Sequence, residues 1–229
     1  TSIDQSTDTC TNNFATLNSI LNNRTGTLSE GNLKAVTTDS NASPEFSTIG
    51  VTQGKWYAEF KYTAQNHTTA LMVGVTQDAS EDLRNDKTPG RGSLSYSYNA
   101  SNGESYYNNS GSSYGNSFAV GDIIGVALDL DNHKLYFSKN GTFQNSGDPT
   151  SGSTGTGALS ISSTPQSGFY FIGAGDTTTN YHVTFEANFG SPSFAISSGN
   201  ADANGFGNFE YAVPSGYFSL CTKNLAEFG

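Results

Sequence analysis

Residues 120–141, VGDIIGVALDLDNHKLYFSKNG, decide the fold of this chain. Apolar side chains recur at every second position of the first half, at Ile124, Val126, Leu128 and Leu130. An extended chain places alternate side chains on opposite faces, so this period predicts a half-buried β-strand. Residues 131–134 tolerate a tight reversal, and Leu135 and Phe137 then resume the apolar face. Because Asn140-Gly141 suits the positive φ angles of a primed turn, the whole stretch predicts an antiparallel meander.

Further strand patterns lie at residues 54–62, 71–76, 169–175 and 181–189. In the first of these, the residues that share one face are Trp56, Ala58, Phe60 and Tyr62. No segment carries a helical period of any length. Short strands with turns between them predict an all-β fold, in which two antiparallel sheets pack face to face as a β-sandwich.

The composition excludes several classes of protein. Of the 229 residues, 34% are hydrophobic and 13% are charged, and the length suits one sandwich rather than two full domains. The formal net charge of -10 gives no attraction for phosphate backbones or anionic membranes, so we expect no nucleic-acid binding. We also expect no membrane insertion, since no apolar run approaches the length of a membrane helix. The start at Thr1 rather than Met suggests a processed product or a segment of a longer chain.

Five tyrosines separated mainly by Ser, Asn and Gly form the best candidate for a ligand-binding surface: Tyr96, Tyr98, Tyr106, Tyr107 and Tyr114. Tyrosine offers a flat apolar face and a polar tip at low entropic cost, and small polar neighbours supply adaptable hydrogen bonds. The alternative is structural. In that case Tyr96 and Tyr98 line a sheet face while Tyr106 and Tyr107 cap its edge, and the sequence leaves both interpretations open.

Oxygen and sulfur side chains offer weaker candidates for a metal site or a disulfide. Asp129, Asp131 and Asn132 have calcium-binding side chains, although a turn held by Asx hydrogen bonds is the commoner use of such residues. The same caution applies to a second acidic loop that contains Asp78, Glu81, Asp82 and Asp86. Cys10 and Cys221 are the only cysteines, and they are either two unpaired thiols, which we favour, or a disulfide that joins the two ends.

Nothing in the sequence predicts catalysis. A glycoside hydrolase needs two carboxylates across a cleft, but Glu59 and Glu186 each stand alone in their strands. The three histidines, His67, His133 and His182, have no neighbouring Ser or Cys with a nucleophile signature. The glycines between residues 152 and 157 lack the Lys and the strand-to-helix context of a phosphate loop. We therefore expect a non-enzymatic protein without a cofactor.

Four segments, in this order, resemble the signature of the SPRY (B30.2) domain: Gly54–Glu59, Val73–Val75, Gly121–Asp129 and Leu135–Gly141. The resemblance spans about residues 30–190 and implies a concanavalin-A-like jelly-roll sandwich that works as a binding module. Residues 1–29 would then form an extended leader. Residues 191–229 would form a C-terminal extension that returns to the sandwich or links to further domains.

The flanking segments resemble SPRY-containing virion proteins of tailed phages, particularly aquatic ones. The matching residues lie at 6–9, 12–18, 187–190, 214–217 and 222–227. This resemblance implies a virion or extracellular structural protein, as a tail fibre or a capsid-bound head fibre or decoration. It would bind other virion proteins, form a homo-oligomer, and contact a host-surface glycan or protein. The alternatives are a cellular SPRY adaptor that captures a short peptide and a secreted protein that binds or hydrolyses glycans.

Overall fold

The computed structural model describes residues 9–20, 26–37, 44–66, 70–80, 88–176 and 182–229. Its strands are β1 (Thr27–Ser29), β2 (Lys34–Val36), β3 (Glu45–Phe46), β4 (Lys55–Gln65), β5 (Leu71–Thr76), β6 (Ser95–Asn99), β7 (Glu104–Tyr107), β8 (Ser110–Ser113), β9 (Ile123–Asp129), β10 (Lys134–Lys139), β11 (Thr142–Phe143), β12 (Leu159–Ser160), β13 (Phe171–Asp176), β14 (Val183–Asn188) and β15 (Phe218–Ser219). A 3-10 turn lies at Gly152–Thr154, and an α-helix, α1, at Thr222–Phe228.

Two sheets form the architecture. The first has nine strands in the order β1-β2-β14-β4-β9-β10-β11, with β12 also paired to β10 and β15 paired to β4. The second has six strands in the order β3-β13-β5-β6-β7-β8. The pairs within both sheets are antiparallel, apart from the parallel pair of β15 with β4. The all-β antiparallel sandwich expected from the strand pattern is confirmed.

The stretch at residues 120–141 forms the meander that its alternation predicts. β9 and β10 pair antiparallel, with Leu128 opposite Leu135. Asn140 and Gly141 take φ angles of 48° and 79°, and the chain reverses there into β11. Asn and Gly accept such left-handed angles at low steric cost, which is why this dipeptide marks the turn.

The main core lies between the two sheets. Trp56, Phe60 and Leu128 are each fully buried in it, so the predicted inner faces of β4 and β9 are confirmed. β5 lies in the middle of the six-stranded sheet, and all 6 of its residues are buried. This is the burial expected of a central strand that is covered on both faces.

The prediction that β9 is half-buried is wrong, because both of its faces are buried. On the outer face, Ala127 joins a second cluster with Tyr57, Tyr136, Phe209 and Tyr217. Phe209 meets the ring of Tyr57 edge-on, with centroids 5.1 Å apart. The two residues that cover this face come from the C-terminal extension, far from β9 in the sequence, so no local period reveals the second layer.

Helix α1 is an element that the sequence pattern missed. It contains 7 residues, about two turns, which is too short for a helical period to develop. Its Phe228 stacks on Phe218 of β15 with ring centroids 3.8 Å apart. Such a short helix depends on tertiary packing rather than on propensity. Among the described residues, no helix has both the length and the apolar character needed to cross a membrane.

The N-terminal segment and the C-terminal extension pack together. The backbone N–H of Ala15 donates to the carbonyl of Leu220 at 2.9 Å. Cys10 is exposed and Cys221 is buried, and both are free thiols, so the disulfide alternative is not realised. The buried thiol instead lies 3.6 Å from the hydroxyl of Ser219, which donates to its Sγ. Residues 1–8 lie outside the described part of the chain, and the domain boundaries at residues 29 and 190 stay a prediction.

Candidate ligand-binding groove

Burial divides the five candidate tyrosines. Tyr98 and Tyr114 are only 0% and 5% exposed and belong to the main core. The Tyr98 ring stacks on Phe137 at 5.7 Å, and Tyr114 meets the same ring edge-on at 5.9 Å. The hydroxyl of Tyr114 accepts a hydrogen bond from the Phe137 N–H at 3.0 Å, and that of Tyr98 donates to the Asn116 carbonyl. Both rings are enclosed between the sheets, so for these two tyrosines the structure agrees with the structural interpretation.

Tyr96 and Tyr107 form a stacked pair at the margin of the core. They are partners across β6 and β7, with ring centroids 4.7 Å apart and planes inclined by 13°. Tyr96 is 8% exposed, whereas Tyr107 is 46% exposed. The hydroxyl of Tyr96 accepts a hydrogen bond from the Ser162 N–H at 3.2 Å, and burial raises the pKa of this hydroxyl. The buried ring therefore holds the exposed ring of Tyr107 in place.

Tyr106 lies on the opposite face of β7 from Tyr107, since neighbouring residues of a strand point in opposite directions. The guanidinium of Arg91 lies 4.9 Å from the centre of the Tyr106 ring. The side-chain amide of Asn102 donates to the Tyr106 hydroxyl at 3.3 Å. A cation over an aromatic face is attracted by the ring quadrupole, so Arg91 holds this ring on the outer side of the strand.

A groove of about 520 Å³ opens beside Tyr107. Its first wall is the inner face of β7 and β8, and its second wall is the segment 158–162, which contains β12. β8 is the last strand of its sheet and β12 pairs with β10 of the other sheet, so the groove lies between the two sheets at this edge of the sandwich. The volume lies within the range of about 300–1,000 Å³ that is typical of small-ligand sites. The described lining residues are Tyr96, Ser105, Tyr106, Tyr107, Ser110, Ser112, Ala158, Leu159, Ser160, Ile161 and Ser162.

The described lining is uncharged and rich in hydroxyl groups. Ser110 and Ser112 are exposed on β8, on the same face as Tyr107. Ser160, on the facing wall, accepts a hydrogen bond from the ammonium group of Lys134 at 3.0 Å. Leu159, beside it, is half-buried and supplies apolar surface. The groove thus combines an aromatic face, apolar carbon and neutral hydroxyls, which suits it to bind an uncharged ligand with both polar and apolar sides.

Asp129, Asp131 and Asn132, the candidate calcium ligands, make contacts within the protein. The Asp129 carboxylate pairs with Lys55 at 3.1 Å and accepts hydrogen bonds from the backbone and side-chain N–H groups of Asn132, at 3.0 and 2.9 Å. Asp131 accepts from the Gly54 N–H at 2.9 Å. The side chains therefore stabilise the turn, as in the Asx alternative. In the part of the chain that the structure describes, no cluster of three His, Cys, Asp or Glu side chains is placed to hold a metal ion.

The described members of the acidic loop and of the histidines, which are Asp78, His133 and His182, bring no further site together. Asp78 accepts hydrogen bonds from the backbone N–H and the hydroxyl of Ser80, at 2.9 and 2.6 Å. Glu81, Asp82, Asp86 and His67 lie outside the described residues. His133 occupies the turn between β9 and β10 with a φ of 54°, and His182 lies 3.2 Å from the Thr37 carbonyl through its Nδ1.

Glu59 of β4 is a buried structural carboxylate. It accepts hydrogen bonds from the backbone N–H groups of Glu210 and Tyr211, each at 2.9 Å. The Tyr57 hydroxyl donates to it at 3.2 Å and the Asn188 amide at 3.3 Å. Burial raises the pKa of Glu59, and these four donors oppose that rise. Glu59 therefore joins β4 to the C-terminal extension instead of facing a cleft.

The second wall of the groove carries only a weak signal in the sequence. In that wall Leu159 and Ile161 alternate with Ser160 and Ser162, which is a period-two signal for a strand. The signal is short, and it follows a loop rich in Gly, Ser and Thr that reads as a linker. Ser110 and Ser112 lie in a stretch of small polar residues near the tyrosines, and their alternation on β8 turns both toward the groove.

Residues 55–168 match the family model described as the SPRY domain. The chain is similar to the Ran-binding proteins 9/10 homolog of Drosophila melanogaster, to Ran-binding protein 9 of Homo sapiens and to Ran-binding protein 10 of Danio rerio. Each is 28% identical over 89 residues, which is 38% of this chain. The matched segment spans only 9%, 12% and 14% of those relatives, respectively.

The crystal structure of the SPRY domain of human HERC1 shares this fold. The two structures align with a TM-score of 0.55 over 71% of this chain and 91% of that chain. At 19% sequence identity the likeness concerns the fold alone. The ordered motifs, the antiparallel sandwich and the family match agree with one another, and we conclude that this chain contains a SPRY domain.

Proposed function

We propose that this chain is a non-enzymatic binding module that uses the groove beside Tyr107 to hold a partner. The observation that carries the proposal is the preformed groove itself, where an aromatic ring that is 46% exposed is held by a buried one. The described lining contains no acid pair and no charged group. Binding without chemistry is the function that such a lining supports best.

The comparisons support a role in protein–protein contact. The chain matches the SPRY domain and is similar to proteins that are named for binding Ran. The similarity does not identify the partner of this chain, because 28% identity over 89 residues does not show that any binding residue is shared.

We propose further that the module is a structural part of a phage virion, as a tail fibre or as a capsid-bound fibre or decoration. The support is the resemblance of the flanking segments, together with a net charge of -10 that disfavours nucleic-acid partners. Repeated copies on a particle convert weak single contacts into avid attachment. The flanks would then contact other virion proteins in a homo-oligomer, while the groove faces the host surface.

The virion assignment is tested by immunogold labelling of purified particles from the source, with antibody raised against this chain. Label on tails or over heads supports the proposal and assigns the location. Particles that carry no label overturn it.

The binding role is tested by adding the purified chain as a competitor of particle adsorption to host cells. The chain should block adsorption, and Tyr107→Ala should weaken the block. Val120→Ala is the matched control, because Val120 is 45% exposed and lies outside the described lining of the groove. If Tyr107→Ala and Val120→Ala block equally well, the groove is not the binding site.

A cellular adaptor that captures a short peptide is the second candidate function. The similarity to Ran-binding protein 9 of Homo sapiens favours it. It predicts unlabelled particles in the immunogold experiment, and binding of the chain to members of a random peptide library. A chain that labels particles and selects no peptide excludes this candidate.

A further inference from the structure

We infer that the groove beside Tyr107 binds a neutral carbohydrate. The inference rests on the proposed binding function and names the class of ligand for that same site. Three features of the groove support it: a fixed aromatic face, hydroxyl groups on both walls, and the lack of charge in the described lining.

The aromatic face is prepared before a ligand arrives. Tyr107 is 46% exposed, and its ring is stacked on Tyr96 at 4.7 Å and 13°. Tyr96 is in turn held through its hydroxyl by the Ser162 N–H at 3.2 Å. The C–H face of a sugar ring is flat and apolar and packs against such a ring. Because Tyr107 is already ordered, binding costs little side-chain entropy.

The hydroxyl groups match the chemistry of a sugar. Ser110 and Ser112 lie two residues apart on β8 and point to the same side, with about 7 Å between successive side chains on that face. Each serine hydroxyl both donates and accepts, as a sugar hydroxyl does. On the facing wall, Ser160 accepts from Lys134 at 3.0 Å, which leaves the proton of its own hydroxyl free to be donated into the groove.

The charge distribution selects a neutral ligand. The chain carries a net charge of -10, yet the described lining holds no charged side chain. An acidic glycan or a phosphopeptide would meet the Lys134 ammonium group beside the lining, but that group already donates to Ser160, and the chain as a whole would repel such a ligand. A neutral ligand needs no countercharge and is not repelled by the negative net charge.

The arrangement of the walls favours a sugar over an extended peptide. A peptide that binds to a sheet pairs its main chain with the edge of a strand. The first wall of this groove is formed mainly by side chains that share one face of β7 and β8, namely those of Ser105, Tyr107, Ser110 and Ser112. Serine hydroxyls on such a face can pair with the hydroxyls of a sugar more readily than with the main chain of a peptide.

The experiment uses an array of immobilised oligosaccharides, with neutral glucose, galactose, mannose and N-acetylglucosamine oligomers beside sialylated, sulfated and uronate-containing ones. The whole chain is applied as a labelled tetramer, so that weak contacts are retained through avidity. We expect binding to at least one neutral oligosaccharide, at least tenfold weaker binding by Tyr107→Ala, and retained binding by Tyr107→Trp. Val120→Ala serves as the control, and the urea midpoint of each variant shows that its fold is intact.

The inference is supported if a neutral oligosaccharide binds the unmodified chain, Tyr107→Trp and Val120→Ala, and binds Tyr107→Ala at least tenfold more weakly. Binding of acidic glycans alone, selection of peptides from a random library in place of glycans, or no binding to the array overturns it. If the chain blocks particle adsorption through Tyr107 and yet binds no neutral glycan, the carbohydrate inference fails and the binding function stands. If it neither blocks adsorption nor binds the array, both fail.

Discussion

Replacing Glu59 by alanine should weaken the attachment of the C-terminal extension to the nine-stranded sheet and so lower the free energy of unfolding. The residue is 0% exposed, and its carboxylate accepts four hydrogen bonds, at 2.9, 2.9, 3.2 and 3.3 Å. Two of the donors are backbone N–H groups of the extension, at Glu210 and Tyr211. The alanine variant therefore leaves buried donors on both sides of the junction without an acceptor.

A buried donor left unsatisfied costs about 1–3 kcal/mol. The four losses do not add, because water entering the vacated space satisfies some donors and because removal of the carboxyl recovers its own desolvation cost. We therefore expect the free energy of unfolding to fall by about 3–5 kcal/mol, which is a large part of the typical 5–15 kcal/mol of a domain.

Urea unfolding followed by the fluorescence of Trp56, the only tryptophan, measures this change. Glu186→Ala on the neighbouring strand β14 is the matched control. Glu186 is half-buried and accepts a hydrogen bond from the Ser193 hydroxyl at 2.9 Å, so its loss should cost less than about 1 kcal/mol. If Glu59→Ala loses no more stability than Glu186→Ala, Glu59 does not hold the extension in place.

Three further predictions concern folding and stability. Burial raises the pKa of the Glu45 carboxyl from 4.5 to about 8, so between these two pH values the folded chain keeps a proton that the unfolded chain releases. The free energy of unfolding should therefore fall as the pH rises from 4.5 to 8. Urea midpoints measured for Glu45→Gln over the same range should lose this pH dependence. A Cβ at Gly74 would collide with the backbone of β6, 2.8 Å from the Ser97 Cα. A Cβ at Gly111 would instead meet side-chain atoms, namely the end of the flexible Glu104 side chain and the Tyr106 Cζ at 3.0 Å. Circular dichroism should therefore show Gly74→Ala unfolded and Gly111→Ala folded. Leu128→Asp should abolish folding, because Leu128 is fully buried and an unpaired charge cannot be accommodated there; a soluble variant with a cooperative melt would contradict this.

The C-terminal extension has a structural role that its polar composition does not suggest. It provides Phe209 and Tyr217 to the outer layer, and it also contains Asp202, whose buried carboxylate accepts from the Ser219 N–H at 2.8 Å. The Asn224 amide of α1 donates to the same oxygen at 2.8 Å. Sheet, extension and helix thus share one set of buried polar contacts, so shortening the chain from its C-terminal end removes a layer of the sandwich.

The site was predicted from the sequence only in part. The tyrosine-rich segment was recognised as a binding candidate, and Tyr107 does line the groove. Composition alone did not separate Tyr107 from Tyr98, because both occur in the same Tyr, Ser and Asn context. Their exposures of 46% and 0% follow from what packs against each ring in space.

The sequence by itself determined the strands β4, β5, β9, β10, β13 and β14, the hairpin at Asn140-Gly141 and the inner faces of β4 and β9. These features are local, since a period of two residues and a turn dipeptide act over a few neighbouring positions. The tertiary structure decided the rest. The outer cover of β9, the partners of Glu59 and the second wall of the groove all join distant segments, as in the bond from the Glu210 N–H to Glu59 across 151 residues. Burial and hydrogen bonding of this kind depend on which surfaces come into contact when the chain packs. A local sequence pattern does not predict these contacts, because the contacting segments are far apart in the chain.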